Sequence, residues 1–240
     1  MTEKASPDRL AEIGRELERH LRFQEMMGVK HLPVPELEIV EPEESAPAVD
    51  PGLLLEELQK EALACSRCSL AQTRGKLVFG AGDSRARLMF IGEAPGFHED
   101  RTGIPFVGKA GQLLTKIIQA IGLTREQVYI ANILKCRPPE NRNPTVEESI
   151  NCYPFLARQI EIIRPEVIVA LGGVSGKKLL KTTLSTGRLR GEFRDFQGTK
   201  LMVTYHPAYL LRNPADKRKT WEDMKKVRDF LGLNQPGGSE

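Results

Sequence analysis

The chain has 240 residues, 40% hydrophobic and 28% charged, enough for one sizeable core with an appendage or at most two small domains. The composition is that of an ordinary globular protein, and no apolar run approaches the roughly 20 residues that a membrane helix needs. The opening MTEKASPDRLAEIGRELERH is charged from its third residue and has no apolar segment, so no secretory signal is read there and a cytoplasmic protein is expected. The net charge of +3 hides an asymmetry. Residues 1–52 hold six Lys and Arg against twelve Asp and Glu, a balance of −6, which leaves +9 for residues 53–240. A basic body suits a polyanion through phosphate neutralisation, although many proteins that bind none reach such a value.

In chain order, Leu10, Ile13, Leu17 and Leu21 recur at helical spacing and predict an amphipathic helix within 1–30 that packs on the protein or on a protein partner. Residues 31–52, HLPVPELEIVEPEESAPAVDPG, carry five prolines and six acidic residues and read as an extended linker. The catalytic-looking domain then spans 53–240. It opens on a helical stretch, LLLEELQKEALA, after which strands predicted at Arg87–Ile91, Val128–Leu134, Val167–Leu171 and Leu201–Tyr205 alternate with helices predicted at Gln112–Ile121, Thr145–Ile163, Ser175–Leu180 and Asp216–Leu231. This alternation predicts a three-layer α/β/α sandwich with a central, mainly parallel four-stranded sheet. Functional residues in such folds collect at the carboxyl ends of the strands.

All four cysteines fall in one pattern: Cys65 and Cys68 as C-x2-C, then Cys136 and Cys152. A reducing compartment disfavours structural disulfides, leaving an iron-sulfur cluster, zinc, or unliganded or redox-active thiols as the readings of the spacing. The 67 residues between Cys68 and Cys136 weaken a zinc ribbon, which has two close pairs.

The first strand ends in GEAPGFHED, residues 92–100, followed by PFVGKAGQLL, residues 105–114. Glu93 and Glu99 are either pocket carboxylates or loop surface, and Phe106 is either a stacking face or core. The second strand ends in ANILKCRPPENRNP, where Asn132 either reads a base edge or forms a turn. The last runs into YHPAYLLRNPADKRK, delivering His206 and then a cationic segment that contacts phosphate or forms a solvated face.

Taken together and in this order, these fragments resemble the family 4 uracil-DNA glycosylases over about residues 53–230. The resemblance implies the uracil-glycosylase fold and a 4Fe-4S cluster on Cys65, Cys68, Cys136 and Cys152. It implies that Glu93 and His206 are catalytic, and that Ala94, Phe106, Asn132, Glu99 and Asn141 contact the substrate. Leu210, Leu211 and Arg212 are expected as a wedge and phosphate grip on uracil-containing DNA, single- or double-stranded, with the protein a monomer. A related subgroup that becomes covalently trapped on its DNA inserts an arginine-rich loop with a reactive histidine after the second motif. Here CRPPENRNPT passes straight into a helix, so turnover is expected. The rival reading is a non-enzymatic iron-sulfur protein that binds DNA or senses redox state. It has no use for Glu93, Asn132 and His206 together at strand ends.

Overall fold

The computed structural model describes residues 49–233 and, before them, residues 14, 16–22, 25 and 27. The chain divides into two units, Met1–Ala48 and Val49–Glu240. In the first, residues 16–22 are helical and Arg22 pairs with Glu18 one turn earlier at 3.1 Å. The remainder of the expected N-terminal helix and residues 31–48 of the expected linker lie outside the described residues.

The second unit opens with α1 (Pro51–Leu63), whose Asp50 cap accepts from the Gly52 amide at 3.3 Å and whose proline occupies the first turn, where no intrahelical donor is needed. The helix thus begins two residues before the boundary expected at 53. There follow α2 (Leu70–Thr73), β1 (Ala81–Gly82), β2 (Leu88–Gly92), α3 (Phe97–Thr102), α4 (Lys109–Ala120), β3 (Tyr129–Asn132) and α5 (Val146–Ile163). The chain then forms β4 (Val167–Leu171), α6 (Gly173–Leu180), α7 (Thr186–Leu189), β5 (Phe193–Phe196), β6 (Thr199–Thr204), α8 (Pro207–Arg212) and α9 (Lys217–Phe230).

The sheet order is β1-β3-β2-β4-β6-β5. The four inner strands are parallel and are the four that the apolar runs predict, while β1 and β5 pair antiparallel at the edges. Strand alternation divides the core in two. Met89, Ile91, Ala131, Ile168, Leu201 and Val203 face α1, α5 and α6, whereas Leu88, Phe90, Ile130, Val169 and Met202 face α4 and α9. The result is the expected α/β/α sandwich, with each fully buried Leu or Ile, such as Leu114 and Ile118, contributing about 1.5–3 kcal/mol.

Helix α5 starts at a capping box: Thr145 Oγ1 accepts from the Glu148 amide at 3.1 Å and Glu148 accepts from the Thr145 amide at 2.8 Å. Parallel strands place their carboxyl ends on one edge of the sheet. There β6 is tied to α9 by Asp223, which accepts from Thr204 Oγ1 at 2.6 Å and forms a two-pronged pair with Arg190 at 2.7 and 3.1 Å. That anchor fixes the strand two residues before His206.

Candidate active site

Five segments meet at this edge: the turn after β2, the loop at 105–108, the end of β3, the stretch at 138–143 and the entry to α8. They enclose a cleft of about 520 Å³ lined by Glu93, Ala94, Glu99, Phe106, Asn132, Asn141, His206 and Arg212. Every residue predicted as catalytic or substrate-binding therefore lines one space, although they are spread over more than a hundred positions of sequence.

Gly92 shows how tightly the inner end is built. A Cβ there would lie 2.3 Å from Asn132 Oδ1 and 2.6 Å from the Phe106 ring, so only glycine lets the three share the recess. Asn132 is buried, and its Oδ1 has no hydrogen-bond partner among the described residues. A buried amide oxygen left unpaired costs about 1–3 kcal/mol, which a ligand's N–H would recover. Phe106 is 6% exposed and has φ of 53°, a left-handed conformation that costs a bulky residue about 1–2 kcal/mol and recurs at functional sites.

His206 stands with its ring centroid 5.7 Å from that of Phe106, the planes tilted by 35°. It caps α8: the Ala208 amide donates to His206 Nδ1 at 3.1 Å. That bond requires an unprotonated Nδ1, so the neutral ring carries its proton on Nε2. Burial, with help from the Arg212 charge and against that of Glu99, lowers the pKa to about 4, and the ring is neutral at physiological pH. Burial also raises the pKa of Glu93 above the ordinary carboxylate value.

Glu99 braces the opposite wall, its Oε1 accepting from the Val107 and Gly108 amides at 2.9 and 3.0 Å. Its neighbour Asp100 accepts from the Gly75 amide at 2.9 Å, so these motif acids hold backbone rather than lying free on the surface. Asn141 Oδ1 accepts from Arg137 Nε at 2.8 Å. One expectation needs correction. Leu210 is 1% exposed and packs inward, so it has no reach for a base stack. The adjacent Leu211 is 43% exposed and Arg212 lines the cleft, which leaves those two in reach of a polynucleotide.

The Uracil DNA glycosylase superfamily model matches residues 79–225. The chain is 45% identical over 187 residues to the type-4 uracil-DNA glycosylase of Thermotoga maritima, spanning 74% of this chain and 95% of that protein. It is 42% identical over 192 residues to the Archaeoglobus fulgidus type-4 enzyme, covering 76% and 96%, and 46% identical over 186 residues to that of Saccharolobus solfataricus, covering 74% and 86%. The chain belongs to the type-4 family of the uracil-DNA glycosylase superfamily.

Beside the cleft of this uracil-DNA glycosylase chain lies a second cavity, lined by Cys65, Cys68, Cys136 and Cys152 with Leu70, Leu134 and Phe155. The α1–α2 turn supplies the first pair, the segment after β3 the third and α5 the fourth. Arg74 donates to Cys136 Sγ at 3.5 Å and the Lys135 amide to Cys152 Sγ at 3.2 Å. Burial pushes the Cys152 thiol up to about 11 and raises that of Cys136. Among the described residues, no three Cys, His, Asp or Glu converge as ligands on a single ion. The donors are soft thiols gathered on one cavity.

Residues that sequence reasoning missed also shape the cleft. Tyr209 and Arg142 line it, with Tyr209 Oη donating to Asp216 at 2.7 Å and Arg142 making a two-pronged pair with buried Glu148 at 2.6 and 2.9 Å. Both stand inside the motif segments, HPAYLLR and ENRNP, so their neighbours were the available signal.

Proposed function

We propose that this chain hydrolyses the N-glycosidic bond between uracil and deoxyribose in DNA, leaving an abasic site for base excision repair. The observation that carries the reading is the recess where the unpaired Asn132 amide, the Phe106 ring and neutral His206 face one another at the strand ends. The bond lies inside the helix, so the nucleotide leaves the stack first and the cost of a few kcal/mol is recovered in the recess. Phe106 offers the base a face. The Asn132 carboxamide offers an acceptor to N3–H and a donor to O4, and cytosine presents the reverse pair, which leaves buried polar groups mismatched.

As the bond lengthens, negative charge grows on the uracil oxygens and positive charge on the sugar. His206 donates Nε2–H to a uracil oxygen, an arrangement that stabilises charge present only in the transition state. Glu93 holds the water and offsets the sugar's charge. Leu211 and Arg212 meet the DNA strand.

The four thiols lining one cavity fit a 4Fe-4S cluster, which takes four cysteine thiolates as its protein donors. Cys65, Cys68, Cys136 and Cys152 would hold it, with the Arg74 and Lys135 donors beside the sulfurs. With all four positions protein-ligated, such a cluster would cross-link the α1–α2 turn, the segment after β3 and α5 rather than serve as a reaction centre.

The test is incubation with oligonucleotides bearing uracil or thymine at one position, followed by alkaline cleavage of abasic sites. Scission at uracil alone is expected. Intact uracil strands after treatment with excess protein would overturn the reading.

A further inference from the structure

Phe106 is held in its left-handed conformation by a residue that does not line the cleft. Arg125, in the 3-10 turn before β3, is half-buried and reaches back twenty residues to the loop. Its Nη2 donates to the Pro105 carbonyl at 2.8 Å and its Nη1 to the Phe106 carbonyl at 3.2 Å. Nη1 also donates to Thr115 Oγ1 on α4 at 3.3 Å. Directly after Phe106, Glu99 takes the amides of Val107 and Gly108. The loop is therefore gripped by a cation on the carbonyls of Pro105 and Phe106 and an anion on the amides of Val107 and Gly108, so the Phe106–Val107 peptide is held at both its oxygen and its nitrogen from two separate elements.

The geometry points to Arg125 as the positioning residue for the base-stacking ring, acting on the substrate only through Phe106. A strained loop peptide persists only where its surroundings over-determine it. The planar guanidinium suits this task because it satisfies two successive carbonyls in one plane, which a lysine ammonium on a flexible stem does not. The inference rests on the proposed uracil pocket and adds what keeps one of its walls in place.

The test is a double-mutant cycle on the full chain, read as the half-saturating protein concentration and the saturating rate of single-turnover uracil excision. Phe106→Ala alone must weaken half-saturation; if it does not, the placement of Phe106 in the pocket fails before Arg125 is reached. Arg125→Met is expected to raise the half-saturating concentration by about tenfold with a smaller change in the saturating rate. In the Phe106→Ala background the same substitution should cost less than about twofold, since the ring it positions is gone. Arg125→Lys, which reaches one carbonyl, should restore part of the loss, and it carries the same cycle should Arg125→Met prove insoluble. An equal cost in both backgrounds, or no cost in the native one, would overturn the inference while leaving the glycosylase reading intact.

Discussion

The two cavities share the segment from Asn132 to Cys136, yet among the described residues the cleft leaves one buried polar atom without a partner and the cysteine cavity leaves none. At the cleft, Asn132 Oδ1 is buried and unpaired, and Phe106 sits in a costly backbone conformation. Around the cysteines, polar groups find partners within the protein. Arg74 serves the Leu63 and Cys65 carbonyls and Cys136 Sγ, at 2.5, 3.4 and 3.5 Å. The fully buried Lys135 ammonium donates to the Asn132 carbonyl and Gln159 Oε1 at 2.9 and 2.5 Å, and burial drives its pKa down to about 7. One cavity holds back interactions for a ligand that comes and goes; the other spends them on permanence. The contrast implies that substitutions near the cysteines act on folding, and those at the cleft on rate and selectivity.

The widest break in the comparison comes from the cysteine side. Cys152→Ser should abolish most soluble yield and strip the brown colour and iron expected of anaerobically purified protein, while any soluble remainder keeps its selectivity for uracil. Iron analysis and yield check this; stoichiometric zinc in the unmodified protein would reassign the site. His206→Ala, on the cleft side, should lower the single-turnover rate by roughly 10²-fold or more with little change in affinity for a non-cleavable uracil strand. An unmelted protein cleaving at the native rate would remove His206 from the chemistry.

Asn132→Asp should act on choice, slowing uracil excision by roughly tenfold and narrowing the gap to cytosine in matched oligonucleotides. A smaller effect concerns pH. His206 is depressed from 6.5 to about 4 in the folded chain, so only the unfolded chain takes up its proton between those values. Its neutral burial therefore contributes full stability above about pH 6.5, and as pH falls toward 4 the native protein loses roughly 2 kcal/mol after allowance for solvent access to the cleft. Denaturant midpoints of the native chain and His206→Asn, measured from pH 7 to 4, should converge as the pH falls. Parallel curves would place the imidazole in water. Least of all should be the removal of residues 1–48, which is expected to leave excision of a short oligonucleotide within about threefold.

Much of this arrangement was legible in the sequence because parallel strands are buried on both faces and announce themselves as apolar runs. VIVAL reads as β4 end to end. The edge strands escaped that signal. β1 is two residues long, and β5 is FRDF, half-exposed and charged. Its signature lay in the turn: Gln197 and Gly198 have φ of 52° and 84°, the pair of positive angles that a tight hairpin requires, and Gln-Gly between alternating residues could have disclosed it. At the site, residue types in the motifs indicated which side chains meet, but not which face each presents. Leu210 and Leu211 are indistinguishable in HPAYLLR, and only the docking of α8 buries one and exposes the other. Arg125 carried no sign at all, because two of its three partners are backbone carbonyls nineteen and twenty residues away and the third is a lone threonine hydroxyl.

Gly92 gives the cleft a practical use. The recess exists because one methyl group is missing, with the Asn132 amide and the Phe106 ring crowding the place it would occupy. Gly92→Ala is expected to close that recess, since its methyl group would lie on Asn132 Oδ1 and the Phe106 ring, while the rim residues Leu211 and Arg212 keep their identity. The substituted protein is expected to serve as a matched blank for mapping uracil in DNA: its base recess is closed while its rim keeps the native sequence.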